Sequence, residues 1–315
     1  MKTGNEQKQN TTAWVDLAAL MRVRSLELRA KLLMEGFRKG MHRSPLHGFS
    51  SEFSEYRPYV SGDDPRFLDW KVMARSDRCY VKKFEEETNL RCQFLLDVSG
   101  SMAYGSAGHA KLAYAATLCA TLALFLREQG DAAGVTLFND RVIEHLPALA
   151  RSGQWHALLL QLERAQAVGG ASQRIPMRSL GEMIRRRALL VLMSDFLTPL
   201  DDLERDLGLL AAMQHDVVVF HVLDPAELDF KFDEPALFTD GETGKTLLLE
   251  PSAARAGYLS RLKAHLDRLR TICSKQGVEY RLLRTDDSME HAMFDFLSLR
   301  RGLTARHRAA PRTAA

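Results

Sequence analysis

The chain has few cysteines and no strong excess of one charge. Its four cysteines are scattered and show no C-x-x-C spacing: Cys79, Cys92, Cys119 and Cys273. A disulfide framework or a zinc site is therefore not expected. The formal net charge is +3, with acids and bases interspersed, so we expect no nucleic acid as a partner.

Long apolar segments are also missing. Residues Met1 to Thr12 are polar and lack the apolar core of a secretory signal. The longest stretch without charge, Leu112 to Leu126, has 15 residues, whereas a membrane span needs about 20. We expect a buried helix there, no membrane span, and a cytoplasmic protein.

The usual catalytic patterns are absent or incomplete. The ten histidines show no His-x-x-x-His or His-x-His clustering with acids. The segment from Thr239 to Thr246 ends like a phosphate-binding loop, but that pattern needs glycine at the position of Thr239 and a helix after Thr246. Leucines follow instead, which favours a hairpin with an Asp-Gly turn. Since no constellation predicts catalysis, we expect a protein that is not an enzyme.

What the chain does contain is a regular alternation of strands and helices. Hydrophobic residues make up 46% of the 315 residues, which is enough to bury a full core. The strand candidates are Cys92–Leu96, Gly134–Phe138, Val142–Leu146, Leu189–Met193, Val217–Val222 and Val278–Leu283. The helical candidates are Lys111–Gln129, Gln154–Ala167, Arg178–Arg187, Leu200–Gln214 and Ala253–Gln276. This alternation predicts an α/β fold with a doubly wound, mostly parallel sheet.

The chain divides into three regions by its texture. Residues 1–88 are expected to form an N-terminal helix, from about Ala13 to Gly40, and a β-rich module. Residues 89–299 are expected to form the α/β domain. Residues 300–315 are rich in Arg and Ala and are expected to be a disordered basic tail.

The run from Cys92 to Met102 is the most informative segment. It is an apolar strand candidate that ends in Asp97 and continues into a loop with Ser99 and Ser101. Parallel α/β sheets place ligand sites beyond the carboxyl ends of their strands, so these three side chains are expected at one site edge. All three present oxygen, which suits a hard cation such as Mg²⁺. A cap on the next helix is the alternative interpretation.

The Asp-x-Ser-x-Ser pattern resembles the metal-ion-dependent adhesion site of von Willebrand factor A domains. A second apolar run ends in Ser194-Asp195 and repeats the arrangement. The resemblance implies that the first and fourth strands are neighbours, so that Asp97 and Asp195 face one crevice. Together with Ser99 and Ser101 they would hold Mg²⁺ or Mn²⁺, and an acidic side chain of a partner would complete the shell. Asp195 taken alone is as well explained by a turn or a helix cap.

The same resemblance implies a threonine ligand from a second loop. The matching stretch, Gly169 to Gln173, contains no threonine. Ser172 is the candidate substitute, although simple register places Ala171 at the ligand position. The departure implies a metal that binds weakly or only together with a partner.

A closer resemblance lies ahead of this run. The series Gly62-Asp63-Asp64-Pro65-Arg66-Phe67-Leu68-Asp69-Trp70, followed by Val81-Lys82-Lys83-Phe84, is similar to a bacterial von Willebrand A-like family, domain of unknown function fifty-eight. The resemblance covers residues from about 40 to 300. Its members are commonly encoded beside MoxR-type AAA+ ATPases. The Gly62 to Trp70 element is expected to be an ion-pair latch between module and domain, or a partner-binding surface.

Three hypotheses about function follow. The first is a metal-dependent protein-interaction module that serves a MoxR-type AAA+ ATPase as partner or adaptor, in assembly or activation of other proteins. The second is a metal-dependent phosphoester hydrolase that uses the same acid and hydroxyl cluster, although no general base is evident near Asp97. The third is a scaffold whose site is a vestige.

Overall fold

The computed structural model describes residues 15–41, 55–58, 80–83, 90–169, 177–232, 234–241 and 244–309. Its contacts divide the chain into two units, residues 1–40 with 90–315 and residues 41–89. The N-terminal helical segment thus belongs with the α/β unit, whereas the sequence analysis grouped it with the β-rich module.

The smaller unit contains one described strand pair. Strands β1 Glu55–Pro58 and β2 Tyr80–Lys83 are antiparallel, with Glu55 opposite Lys83 and Pro58 opposite Tyr80. Both strands lie in segments whose aromatic and β-branched residues predict extended structure. The Gly62 to Trp70 element and Cys79 lie outside the described residues, so the predictions about them stay predictions.

The larger unit is built on a six-stranded sheet and a separate hairpin. The strands are β3 Arg91–Asp97, β4 Ala132–Phe138, β5 Val142–Leu149, β6 Leu189–Ser194, β7 Asp216–Leu223, β8 Ala236–Thr239, β9 Thr246–Leu249 and β10 Glu279–Arg284. The sheet order is β10-β7-β6-β3-β4-β5, while β8 and β9 pair with each other. Only the pair of β4 with β5 in the sheet is antiparallel. The doubly wound, mostly parallel sheet is therefore confirmed; its von Willebrand A-like character stays a prediction.

Nine helices accompany these strands in the described part of the chain. They are α1 Leu17–Arg22, α2 Leu26–Met41, α3 Lys111–Glu128, α4 Gln154–Arg164, α5 Met177–Met183, α6 Leu200–Ala212, α7 Pro225–Asp229, α8 Pro251–Lys275 and α9 Met289–Ala309. The uncharged run from Leu112 to Leu126 lies within α3 and is buried almost throughout, as predicted.

Both faces of the sheet are covered. Leu190 and Leu192 of β6 belong to an apolar cluster with Leu207 of α6 and Leu269 of α8. Successive side chains of a strand point to opposite faces, and Val191, between the two leucines, is also fully buried. Burial on both faces explains why the central strands read as unbroken apolar runs rather than as alternating patterns.

The N-terminal segment differs from the single helix that was expected. Helix α1 ends at Arg22, because Val23 adopts an extended backbone. The hydroxyl of Ser25 then accepts a hydrogen bond of 3.3 Å from the backbone N–H of Leu28, in the first turn of α2. Phe37 of α2 is fully buried and lies edge-on to Phe125 of α3, at 6.4 Å between ring centroids. This ring contact attaches α2 to the α/β unit.

The C-terminal segment also differs from the expectation. Helix α9 continues through Ala309, past the position Arg300 where a disordered tail was predicted to begin. Residues 310–315 lie outside the described residues. The segment that resembles a phosphate-binding loop forms the tip between β8 and β9, where Asp240 N–H donates to the carbonyl of Lys245 at 2.8 Å. The hairpin interpretation of that segment is confirmed.

Candidate functional site

The site lies where the order of the sheet reverses. Strand β3 pairs in parallel with β6, with Cys92 opposite Leu189 and Leu96 opposite Met193. The chain continues from β3 to β4 on one side of this pair and from β6 to β7 on the other. In open α/β sheets such a reversal leaves a crevice beyond the carboxyl ends of the two strands. Asp97 ends β3 and Asp195 follows β6, so both reach this edge as predicted.

Asp97 is buried and is held by two neutral donors. Its Oδ1 accepts a hydrogen bond of 2.8 Å from the backbone N–H of Ser99, and its Oδ2 accepts one of 2.5 Å from the hydroxyl of Ser194. The same Ser194 oxygen accepts from the N–H of Phe196 at 3.0 Å. Burial, and then the Asp195 carboxylate, raise the pKa of Asp97 to about 7. Among the described residues, no cationic group neutralises the ionised form of Asp97.

Ser99 and Ser101 bring their hydroxyls together at the surface end of the crevice. The two oxygens lie 3.2 Å apart, and both residues are half-buried, in contrast to the buried acids. A short 3₁₀ turn, Gly100–Ala103, sets this geometry, and the N–H of Met102 donates to the carbonyl of Ser99. Ser101 also hydrogen-bonds with the Asp195 carboxylate. The structure thus joins four of the five predicted site residues; Ser172 lies outside the described residues.

Lys111 is a site residue that the sequence analysis missed. It opens α3 and is fully buried, with Nζ 2.8 Å from Asp195 Oδ2 and 2.6 Å from Glu227 Oε1. Burial alone would lower the pKa of Lys111, but the two carboxylates outweigh burial and raise it. Burial would likewise raise the pKa of Asp195, yet Lys111 holds it below its ordinary value. Its position at the start of a long uncharged helix is a weak local signal and does not indicate its partners.

Glu227 belongs to a short helix that follows β7. Asp224 caps this helix, and the side chain of Glu227 accepts from the Asp224 N–H at 2.8 Å, so the two form a capping box. The Asp224 carboxylate also accepts from both the N–H and the hydroxyl of Ser106 and from the hydroxyl of Thr285. Asp224 therefore joins the loops that contain Ser106 and Thr285 through hydrogen bonds. Burial raises the pKa of Glu227 despite the neighbouring ammonium group.

A buried histidine holds the backbone that follows β6. His221 Nε2 lies 2.8 Å from the carbonyl of Asp195, and His221 Nδ1 lies 2.8 Å from the hydroxyl of Tyr280. Burial lowers the pKa of His221 to about 3, which keeps the imidazole neutral. Phe196 adopts a positive φ of 50° at this bend, a strained conformation for a side chain that is fully buried. His221 is fully buried and is therefore a core residue.

The tip of the β8–β9 hairpin lies against the loop that carries the two serines. A Cβ built on Gly100 would lie 2.1 Å from the carbonyl oxygen of Gly241, and one built on Gly241 would lie 3.0 Å from the N of Ser101. Backbone therefore meets backbone at this point, and only glycine fits. Sequence reasoning rejected the hairpin as a nucleotide site but did not connect it with the Asp-x-Ser-x-Ser loop.

Whether a divalent cation fits this crevice depends on which ligand atoms the surrounding side chains provide. Within the described ranges, no group of three or more His, Cys, Asp or Glu side chains is arranged to hold a metal ion. Two hydroxyls and the Asp97 carboxylate nevertheless converge, and hard cations prefer oxygen ligands. Two carboxylates, those of Asp195 and Glu227, contact the Lys111 ammonium group, and Asp97 lacks a cationic partner in the described residues. The residues fit a cation held by Ser99, Ser101 and Asp97.

Comparison with known proteins assigns the chain to a family. A family model described as "Protein of unknown function DUF58" matches residues 55–268. This chain belongs to the DUF58 family. Uncharacterized proteins from Mycobacterium bovis and Mycobacterium tuberculosis are 30% identical over 292 residues, which cover 90% of this DUF58 protein and 91% of theirs. The predicted family is confirmed; the association with MoxR-type ATPases and the absence of enzymatic activity stay predictions.

Two solved structures are similar to this DUF58 protein at low identity. BatB from Bacteroides thetaiotaomicron is 13% identical, with a TM-score of 0.43 over 66% of this chain and 97% of its own. An aerotolerance-related membrane protein from Bacteroides fragilis is 14% identical, with a TM-score of 0.37 over 65% and 97%. The second is described as a membrane protein, at variance with the predicted cytoplasmic location, and that prediction is withdrawn. Among the helices of the described segments, none is long and apolar enough to cross a bilayer.

Proposed function

We propose that this DUF58 protein is a protein-interaction module that captures an acidic side chain of a partner through a divalent cation, Mg²⁺ or Mn²⁺. The observation that carries the proposal is the pair of hydroxyls of Ser99 and Ser101, 3.2 Å apart, in front of the buried Asp97. Two hydroxyls and one carboxylate leave coordination positions for water and for an outside carboxylate. When bound, the cation supplies a positive charge between two acidic groups that otherwise repel each other.

Each residue contributes a different property to this capture. Asp97 supplies negative charge from inside the crevice, and its two hydrogen bonds fix its orientation. Ser99 and Ser101 supply neutral oxygens that remain half-exposed, where a partner can reach them. Asp195 and Lys111 form a buried ion pair behind the hydroxyls. Ser172, in the second loop, stays a predicted ligand outside the described residues.

The proposed partner is a MoxR-type AAA+ ATPase, with which the module would assemble or activate other proteins. The support for this partner is the family membership together with the genomic association that the sequence resemblance implies. A client protein could supply the acidic ligand instead of the ATPase. In both cases the cation site is the point of capture.

The test is direct binding between the purified full-length protein and the MoxR-type ATPase of the same cell. Binding is measured with Mg²⁺ and with EDTA, for wild type, for Asp97→Ala and for the double variant Ser99→Ala, Ser101→Ala. Ser252→Ala is the matched control, because Ser252 is an exposed serine outside the site. We expect loss of binding in EDTA and in both site variants, and no change in the control. Equal binding by all four proteins, with and without the metal, would count decisively against the proposal.

A further inference from the structure

The Lys111 ammonium group lies inside the acidic end of the crevice. Its side chain has no exposed surface, and its Nζ contacts Asp195 Oδ2 at 2.8 Å and Glu227 Oε1 at 2.6 Å. It is a positive charge of the chain itself, and it already forms an ion pair with Asp195. The sequence resemblance assigns that same carboxylate to the bound metal ion. A bound cation and the Lys111 ammonium group would thus compete for one carboxylate.

We infer that Lys111 sets the divalent-cation affinity of this site by competing with the bound ion for the Asp195 carboxylate. The inference rests on the proposed function and adds to it the residue that makes cation binding weak until a partner supplies a further acid. Lys111 acts through Asp195 and is a positioning residue, not a ligand.

The charges around the crevice indicate that Lys111 competes with a bound ion and does not stabilise its binding. Asp97, in the described residues, accepts only from the neutral groups of Ser99 and Ser194, so its charge is available to a cation. Asp195 is neutralised by the ammonium group at 2.8 Å. An ion at the two hydroxyls therefore gains attraction from Asp97 and is repelled by Lys111, and in this partly buried setting such forces are screened less than in water.

Glu227 allows Asp195 to leave Lys111 for a bound ion at a low cost in free energy. A buried ammonium group that lost its only partner would be strongly unfavourable. Lys111 has two partners, so it can keep the Glu227 carboxylate at 2.6 Å while Asp195 turns to a bound ion. The hydroxyl of Ser101, which hydrogen-bonds with Asp195, connects the serine loop to this exchange.

The test measures Mn²⁺ affinity by the electron paramagnetic resonance signal of the free ion, with the full-length protein and no partner. Lys111→Met removes the competitor, and we expect affinity to rise by about tenfold or more. Glu227→Gln leaves Lys111 to pair with Asp195 alone, so we expect affinity to fall. The controls remove the same charges from exposed side chains that follow Glu227 in the sequence, Lys231→Met and Glu234→Gln, and we expect little change.

Opposite shifts in the two site variants would support the inference. If Lys111→Met does not fold, the double variant Lys111→Met, Glu227→Gln removes one charge of each sign, and it should bind Mn²⁺ more tightly than Glu227→Gln alone. If neither Lys111 variant folds, the direction of the Glu227→Gln shift against its control decides the matter.

Two failures are distinguishable. Unchanged or weaker Mn²⁺ affinity in the Lys111 variants, while the wild type still captures its partner in a Mg²⁺-dependent manner, overturns the inference and leaves the proposed function standing. Absence of Mn²⁺ binding in every variant, together with partner capture that is equal in Mg²⁺ and in EDTA, overturns both.

Discussion

The hydroxyl of Ser194 donates a hydrogen bond of 2.5 Å to Oδ2 of Asp97, across a sequence separation of 97 residues. The bond joins the ends of β3 and β6 at the point where the sheet order reverses. Because Ser194 also accepts from the N–H of Phe196, one hydroxyl orients the acid and fixes the bend that follows β6. The geometry of the candidate site therefore depends on a residue that is not among the predicted metal ligands.

Ser194→Ala tests that dependence. The change leaves Oδ2 of the buried Asp97 without its donor and the Phe196 N–H without an acceptor, so we expect the free energy of unfolding to fall by about 1 to 3 kcal/mol. Urea denaturation measures it. Ser252→Ala removes an exposed hydroxyl and should change the same quantity by less than about 0.5 kcal/mol. Similar effects of the two changes would contradict a supporting role for Ser194.

The pKa of Asp97 predicts how stability depends on pH without a divalent cation. Burial, and then Asp195, raise this pKa from 3.8 to about 7. Between those values the folded state keeps a proton that the unfolded state has released. The free energy of unfolding should therefore fall as pH rises, by up to about 1.4 kcal/mol per pH unit, and should level off above the folded pKa.

Asp97→Asn isolates this contribution, because the amide does not ionise. Urea denaturation in EDTA at about pH 5 and about pH 8 should show a steeper loss of stability in the wild type than in the variant. Since other groups titrate in both proteins, only the difference between them is assigned to Asp97. Equal losses in the two proteins would show that the Asp97 carboxyl has no raised pKa.

Gly100→Ala tests the contact between the serine loop and the β8–β9 hairpin. The added Cβ would lie 2.1 Å from the Gly241 carbonyl oxygen, and backbone has little freedom to withdraw, so we expect a loss of about 1 to 3 kcal/mol. Limited proteolysis should cut the hairpin faster. Gly257→Ala is the control with the opposite sign: Gly257 lies in α8 with open space around it, and alanine should stabilise the helix by about 0.5 to 1 kcal/mol.

Lys111→Met measures the stability that the buried ammonium group provides. The change leaves Asp195 and Glu227 without a countercharge, and breaking a buried ion pair in this way costs about 3 to 5 kcal/mol. Thermal and urea denaturation in EDTA give the value. Lys231→Met removes an exposed lysine that pairs with Asp229 at 3.2 Å, and it should change stability by less than about 0.5 kcal/mol. A small effect at Lys111 would mean that the acids are protonated in the folded state.

The central strands and helices could be read from the sequence because each carries its signal locally. The predicted strand Cys92–Leu96 is observed as Arg91–Asp97, and the predicted strand Leu189–Met193 is observed as Leu189–Ser194. A strand buried on both faces needs a continuous apolar run, and that requirement is visible in one chain. The N-terminal segment was predicted less well, because no glycine or proline marks the break at Val23.

The candidate site could be predicted only in part. Asp97, Ser99 and Ser101 lie within five residues of one another, and the acid ends an apolar strand, so their proximity follows from the chain itself. Lys111 and Glu227 carry no such signal, since a lysine at a helix start and a glutamate in a capping box are each ordinary. Their pairing needs the ends of β6 and β7 and the start of α3 to meet at one edge of the sheet.

The sequence by itself determined the alternation of elements, the parallel sheet and the oxygen-rich loop after the first buried strand, because apolar periodicity and turn chemistry act over short distances. Only the tertiary structure decided which charges share the crevice. It placed the ammonium group of Lys111 between Asp195 and Glu227, and it brought the Gly241 backbone against Gly100. Electrostatic balance in a buried site depends on distances across the fold, and those distances arise only when the strands have taken their order.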